Sequence, residues 1–286
     1  MKRLKIALIQ ANFRSAFQET IPEIAAKARN QAELGPEDVR SNQDLFIKMV
    51  REAASSGANL VLSSESYLDG WSARSDILQR IAARIPGPET EELGALAKEL
   101  GVWICAALFE RDSPDIYNSA ILLSAGGLIA GHYRKTHETK QVLTEMPYRL
   151  GGNLPVFETS WGKVGILVCH DRWYPEAVRT LRRRGAELIL NPVAAGAHSP
   201  YHRYHEISHC VLRAQAYLNG VFWASCNCAN HGGHSVIMAP DGSVLAEASE
   251  EECILMATLD PEAFSSYDFV SNLRDHLCAY GHGDRS

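Results

Sequence analysis

Two segments far apart in the chain follow one pattern, Gly57-Ala58-Asn59-Leu60-Val61-Leu62 and Gly185-Ala186-Glu187-Leu188-Ile189-Leu190. Each comes after a helical stretch, stops at Gly-Ala and opens into an apolar run. Ahead of the first, Gln43 to Ser56 carries Leu45, Phe46, Met49, Val50 and Ala53 on one stripe. Ahead of the second, a helix begins at Pro175-Glu176 and reaches Arg184. A helix feeding a continuous apolar strand is the grammar of βαβ units in a parallel or mixed sheet. The repetition predicts two structurally similar halves packed around one core.

The rest of the chain reads in the same terms. Met1 to Gln10 is a first strand, followed by a polar, irregular stretch from Asn12 to about Ser41 that holds the turn or cap signal Gly35-Pro36-Glu37-Asp38. A helix from Pro88 to Leu100 leads to a strand over Val102–Phe109, and a hairpin spans Ser119 to Tyr133. Beyond the second Gly-Ala stop come a helix from His205 to Asn219, a hairpin turning at Ala239-Pro240-Asp241-Gly242 and a last strand over Cys253–Thr258. Without a Pro/Ser/Gly linker, a low-complexity tract or a repeat of 20–50 residues, the reading is one domain over residues 1–286.

Composition narrows the classes. The chain has 286 residues, 46% of them hydrophobic, and a formal net charge of −6, which argues against a nucleic-acid partner. Arg182-Arg183-Arg184 closes a helix, where basic residues complement the dipole. No apolar stretch is long enough to span a membrane. The N-terminus is too soon interrupted by charge for a signal peptide. Cys105, Cys169, Cys210, Cys226, Cys228, Cys253 and Cys278 are odd in number and widely spread, which fits reduced thiols and a cytoplasmic location.

Cys169 stands where the strand Lys163-Val164-Gly165-Ile166-Leu167-Val168 runs into the charged turn His170-Asp171-Arg172. In open α/β sheets working residues collect at the carboxyl ends of strands, beside helix N-termini. The positive end of the following helix dipole favours a thiolate there, so Cys169 is expected to be the thiol alkylated fastest near neutral pH. A buried structural cysteine is the plain alternative. Glu65 ends the strand Leu60-Val61-Leu62-Ser63-Ser64, and Lys135 follows the strand of the first hairpin. Each alone reads as a cap or a solvated strand end. Together they supply what amide hydrolysis needs: a nucleophile, a carboxylate base near a lysine, and a cationic oxyanion partner.

In this order, with their flanking residues, Glu65, Lys135 and Cys169 resemble the nitrilase superfamily of carbon–nitrogen hydrolases. The resemblance runs from Ile6-Ala7-Leu8-Ile9-Gln10 through Tyr133-Arg134-Lys135-Thr136-His137 and the Cys169 segment to Arg213–Phe222 and Pro240-Asp241-Gly242. It implies a four-layer α-β-β-α sandwich that often assembles as homodimers or larger oligomers. It also implies that Glu65 is the general base, Cys169 the nucleophile, Lys135 an oxyanion stabiliser, and the His170 backbone N–H the second oxyanion donor. A second glutamate after the lysine would hold the leaving amino group and balance charge. Glu138 and Glu145 are both candidates. Glu145-Met146-Pro147-Tyr148-Arg149-Leu150-Gly151 resembles the family's Glu-x-x-Tyr-x-x-Gly continuation and favours Glu145. Neither a cofactor nor a metal is implied. Ser63-Ser64-Glu65 departs from the family's usual Phe-Pro-Glu, and the segment from about Arg14 to Arg40 is unusually long, suited to a substrate entrance or an oligomer contact.

Residues after the cysteine sort the substrates. Nitrile-cleaving members carry Trp-Glu there, whereas this chain has His170-Asp171. The run resembles carbamoyl-amino-acid and aliphatic amide hydrolases. In the D-carbamoylase branch, residues at the positions of Arg172 and His137 lie by the substrate carboxylate, which suits a planar guanidinium. A surface ion pair of Arg172 with Asp171 or Glu176 is the competing reading. Trp173 replaces that branch's second arginine, so the substrate is expected to be bulkier or to lack the carboxylate. The partner is thus a small amide or carbamoyl compound. Two rival readings remain: a metal site in Cys226-Asn227-Cys228-Ala229-Asn230-His231-Gly232-Gly233-His234, whose spacing is tighter than ordinary zinc patterns, and a non-catalytic protein on the same fold.

Overall fold

Both Gly-Ala stops close in the same way. Gly57 and Gly185 turn left-handed, at φ of +85° and +98°, a conformation that costs glycine little because it has no Cβ. The Ala58 N–H donates to the Ala53 carbonyl and the Gly57 N–H to that of Ala54; Ala186 and Gly185 repeat this on Leu181 and Arg182. This pairing satisfies carbonyls that a helix end leaves open and aims the chain into a strand.

The computed structural model describes residues 1–14, 34–70, 75–145, 148–195 and 204–265. The elongated segment expected from Arg14 to Arg40 therefore lies mostly outside the described residues. The first sheet contains β1 (Leu4–Gln10), β2 (Leu60–Ser63), β3 (Trp103–Asp112), β4 (Asp115–Leu123) and β5 (Ile129–Arg134). The second contains β6 (Val156–Glu158), β7 (Lys163–Ile166), β8 (Leu188–Pro192), β9 (Phe222–Cys226), β10 (Val236–Met238) and β11 (Val244–Glu247). The last strand, β12 (Cys253–Leu259), returns to the first sheet, whose order is β12-β1-β2-β3-β4-β5 beside β11-β10-β9-β8-β7-β6. The strands around each Gly-Ala stop are parallel, β1 with β2 and β7 with β8, and the outer strands are antiparallel. The helices are α1 (Pro36–Ser55), α2 (Ser75–Ile81), α3 (Pro88–Leu100), α4 (Lys140–Glu145), α5 (Pro175–Arg183) and α6 (Tyr204–Asn219). None among the described residues is long and apolar enough to cross a membrane.

Alternation along the strands builds four layers. Leu60 and Leu62 of β2 pack with Leu188 and Leu190 of β8 between the sheets. Val61 faces the other way, among Phe46 and Val50 of α1 and Leu93 and Ala97 of α3. On the far side, Ile189 and Trp223 pack under Val178 and Leu181 of α5 and Leu212 and Ala216 of α6. Each fully buried large apolar side chain contributes about 1.5–3 kcal/mol. The result is the expected α-β-β-α sandwich.

The boundaries differ in instructive places. α1 starts at Pro36, not Gln43, because Gly35-Pro36-Glu37-Asp38 is its cap: the Asp38 carboxylate accepts the Gly35 N–H at 3.0 Å. Asn42 and Gln43 interrupt the apolar stripe yet are buried, donating to the carbonyls of Leu68 and Glu89 at 3.0 Å. The β3–β4 hairpin turns at Ser113-Pro114, so β4 begins before the Ser119 expected from sequence. β7 ends at Ile166, short of the Val168 expected from sequence, and Cys169 to Trp173 form a 3-10 turn.

Candidate active site

Glu65, Lys135 and Cys169 each follow a strand, β2, β5 and β7, and the sandwich brings them together: Glu65 pairs with Lys135, and both charges act on the Cys169 thiol. Cys169 sits at φ +45°, left-handed and not glycine. Holding a side-chain residue there costs about 1–3 kcal/mol and marks a turn the surrounding structure enforces. The dipole argument does not decide its protonation. Burial comes first and pushes the Cys169 thiol up to about 12, the Glu65 charge adds to it, and Lys135 and Arg172 oppose without prevailing. The resting Cys169 side chain is thus held as a neutral thiol, which attacks a carbonyl only where a base takes its proton. The expectation of a preformed thiolate is corrected by this shift, and the expectation that Cys169 is alkylated fastest meets a competitor: among the described cysteines, Cys210 is exposed and Cys169 buried.

The Lys135 ammonium, fully buried, donates to Glu65 Oε1 at 3.0 Å and Glu138 Oε2 at 2.5 Å. Burial alone would lower this lysine, but Glu65, Tyr148, Cys169 and Glu138 outweigh it and hold it well above its ordinary value. Glu138 also accepts from the Tyr148 hydroxyl at 2.6 Å and from the Thr139 N–H at 2.8 Å. Burial would raise the Glu138 carboxyl, but Lys135 and these donors hold it below its ordinary value. Glu138 is thus the described second carboxylate on Lys135. Glu145 closes α4, and its side chain lies outside the described residues.

Sequence reasoning missed Asp171, the residue that ties the turn together. Fully buried, it accepts from the Val168 N–H and the Tyr133 hydroxyl on Oδ2, at 2.8 and 2.7 Å. Its Oδ1 accepts from the Thr136 and His137 N–H groups at 3.3 and 2.8 Å and meets His137 Nδ1 at 3.0 Å. One carboxylate therefore fastens the Cys169 turn to the segment after Lys135. Its signal in the sequence was a charged residue inside a turn otherwise bounded by apolar strand, but its partners lie thirty-odd positions away.

His137 is half-exposed and stacks on Tyr174 with ring centroids 4.1 Å apart. His170 lies edge-on to the same tyrosine, at 5.7 Å, and burial lowers its imidazole. Arg172 is only 2% exposed, so it is not a surface ion pair. Asp171 is occupied as above, and Arg172 donates instead to the Tyr204 hydroxyl at 2.8 Å. Its guanidinium lies 5.2 and 5.8 Å from the ring centroids of Trp173 and Tyr204. Its Nε is buried with no hydrogen-bond partner among the described residues. Among the described residues no carboxylate pairs with this buried guanidinium, a costly arrangement, and the Cys169 thiol feels its charge.

The rival metal cluster disperses. The Cys226 thiol bonds the Ile9 carbonyl at 3.2 Å, Cys228 bonds the Ser64 hydroxyl at 3.0 Å, and His234 stacks on His205. Among the described residues no three His, Cys, Asp or Glu side chains could hold a metal ion.

A four-layer sandwich with glutamate, lysine and cysteine brought together at strand ends defines the nitrilase-superfamily class of hydrolases. The carbon–nitrogen hydrolase family model matches residues 5–269, and the chain belongs to that family. It is 30% identical over 254 residues to the N-carbamoylputrescine amidase of Arabidopsis thaliana, covering 80% of this chain and 85% of that protein. The carbon–nitrogen hydrolase from Helicobacter pylori G27 superposes with a TM-score of 0.77 at 22% identity, over 96% of this chain and 93% of that one. A mutant amidase from Nesterenkonia sp. AN1 gives 0.75 at 23% identity, over 96% and 95%, and carries the acetamide moiety of fluoroacetamide covalently on its active-site cysteine.

Proposed function

We propose that this protein hydrolyses the carboxamide or N-carbamoyl group of a small molecule that also carries a carboxylate. Glu65 takes the Cys169 proton as sulfur attacks the carbonyl carbon. Lys135 and the His170 N–H receive the oxyanion, and collapse expels ammonia or an amine that takes its proton from Glu65. Glu65, a carboxylate again, takes a proton from the water that attacks the thioester or thiocarbamate and returns it to the departing Cys169 sulfur, releasing the acid, or a carbamate that decays to carbon dioxide and whichever of ammonia and the amine had not already left. Glu138 keeps Lys135 charged through both steps, and Glu145 remains a candidate for holding the leaving amino group. The Cys–Lys–Glu arrangement needs no external cofactor.

The observation that carries the substrate assignment is the buried Arg172 guanidinium with its unpartnered Nε. A bidentate carboxylate satisfies such a group and gives the site its missing anion. His137, held by Asp171, supports a neighbouring part of the same substrate. The Arabidopsis relative's name supports N-carbamoyl chemistry. Nitrile hydrolysis is disfavoured because His170-Asp171 stands after the cysteine, with Asp171 committed to the turn.

Ammonia release from a panel of N-carbamoyl amino acids, ω-amides, carbamoyl amines and nitriles tests this reading. Turnover of carboxylate-bearing amides or ureido compounds is expected, with Cys169→Ala folded and inactive and an acyl adduct on Cys169 visible by mass spectrometry. Activity confined to nitriles, or turnover surviving in Cys169→Ala, overturns it.

A further inference from the structure

The carboxylate of Glu65 is held at both oxygens, unequally. Oε1 accepts from Lys135 Nζ at 3.0 Å and from Asn118 Nδ2 at 2.8 Å. Oε2 accepts from the Ala194 N–H alone, at 3.1 Å. A carboxylate oxygen has two lone-pair sites. Oε1 is therefore filled, whereas Oε2 keeps one site open among the described residues.

Asn118, in β4, is fully buried and closes a ring of three residues. Its carbonyl accepts the Lys135 backbone N–H at 2.8 Å, while its side chain and the Lys135 ammonium meet on the same Glu65 oxygen. Because a carboxylate only accepts, the amide nitrogen must face Glu65. That orientation leaves Asn118 Oδ1 buried with no hydrogen-bond partner among the described residues. A fold selected for stability alone pairs such an atom, and orphans of this kind gather where geometry serves chemistry.

We infer that Asn118 is a positioning residue that fills Glu65 Oε1 together with Lys135, so that Oε2 is the atom that takes the proton from Cys169. The S–H bond breaks as sulfur bonds the substrate carbon, and the proton moves to Oε2, to be passed later to the leaving amine. The Ala194 N–H fixes the plane of the carboxylate from the other side. Ala194 is itself held by its neighbour Ala195, whose N–H donates to the Asn227 amide at 3.1 Å. The inference rests on the proposed role of Glu65 as base.

The test compares Asn118→Ser and Asn118→Asp with wild type in pH profiles of kcat and kcat/KM, alongside Glu65→Gln. A donor to a carboxylate favours its charged form, so losing it favours protonation. In Asn118→Ser the acidic limb is expected to move up by about one pH unit. The kcat value is expected to fall by about 10- to 100-fold with little change in KM. Asn118→Asp, nearly isosteric, sets a second carboxyl against Glu65 and moves the limb further up. An unmoved limb in either folded variant, or a raised KM at unchanged kcat, overturns the inference. A high-resolution crystal structure of the wild-type protein tests it without any variant: Oε2 nearest the Cys169 sulfur supports it, and Oε1 nearest sinks it. Glu65→Gln separates the two layers. If it retains turnover, the base assignment fails; if it is inactive while the limb stays in place, only the role of Asn118 fails.

Discussion

Asp171 Oδ1 accepts the His137 backbone N–H at 2.8 Å, joining the turn that carries Cys169 to the segment that carries Lys135. The two come from different sheets, β7 and β5, so this contact sets how far the thiol stands from the ammonium. Asp171→Asn keeps the shape but turns acceptors into a clash of N–H groups on one side. We predict a loss of about 10²-fold or more in kcat with the far-UV spectrum unchanged, since small displacements of reacting groups are this costly. Steady-state kinetics with circular dichroism checks it.

Lys135 is expected to stabilise the fold besides its proposed part in catalysis. Lys135→Met leaves Glu65 and Glu138 buried without their cation, and breaking such a set costs about 3–5 kcal/mol. The urea midpoint is expected to fall accordingly. Adding Glu138→Gln removes one of the stranded charges and is expected to recover part of the stability and none of the activity. A double variant no more stable than the single would show that the charges do not interact as described.

The two candidate second glutamates are separable by kinetics. Glu138→Gln weakens the hold on Lys135, so kcat is expected to drop by about 10- to 100-fold. Glu145→Gln is expected to act on substrate handling, through KM, if it reaches the leaving group. Equal effects on kcat from both would assign them a joint role.

For Arg172, the discriminating measurement is a ratio. Arg172→Leu is expected to raise KM for carboxylate-bearing substrates by about 10- to 100-fold, matching a charge-assisted hydrogen-bond pair. Uncharged amides should be far less affected. Equal losses on both classes would mean that the guanidinium serves only to pack Trp173 and Tyr204.

Thiol chemistry gives a pH test. Burial lifts Cys169 to about 12, so below that pH the thiol stays neutral unless a base acts on it. In Glu65→Gln, iodoacetamide at pH 8 is expected to label exposed Cys210 and spare Cys169. Labelling of Cys169 should rise only as pH climbs toward a value that still exceeds a free thiol's through burial but lies below the wild-type one, because the Glu65 charge that helps lift the thiol is gone. Peptide mapping that finds Cys169 labelled first at pH 8 in this variant would contradict it.

What could be read from the chain itself was whatever left a local mark. Leu60 to Leu62 and Gly165 to Val168 are apolar runs that stop abruptly at polar residues, so the strand ends and the residues Glu65 and Cys169 were visible. The twin Gly-Ala stops announced the paired parallel strands. Asn118, Asp171 and Tyr148 left no such mark, because each matters through a partner distant in sequence. The start of α1 was hidden because buried Asn42 and Gln43 look like surface residues until Leu68 and Glu89 supply their acceptors. The thiolate expectation failed for a related reason: the dipole is a local feature, whereas burial is set by the whole sandwich.

The doubly bound Lys135 has a bearing on selectivity during turnover. An acyl group on Cys169 is exposed to every nucleophile within reach, and a neutral lysine amine would capture it as a stable amide, ending the cycle. Glu65 and Glu138 together keep that nitrogen protonated, with no lone pair to offer. In the mechanism we propose, the same clamp that furnishes charge for the oxyanion thus protects the acyl-enzyme from self-inactivation and leaves water as the acceptor.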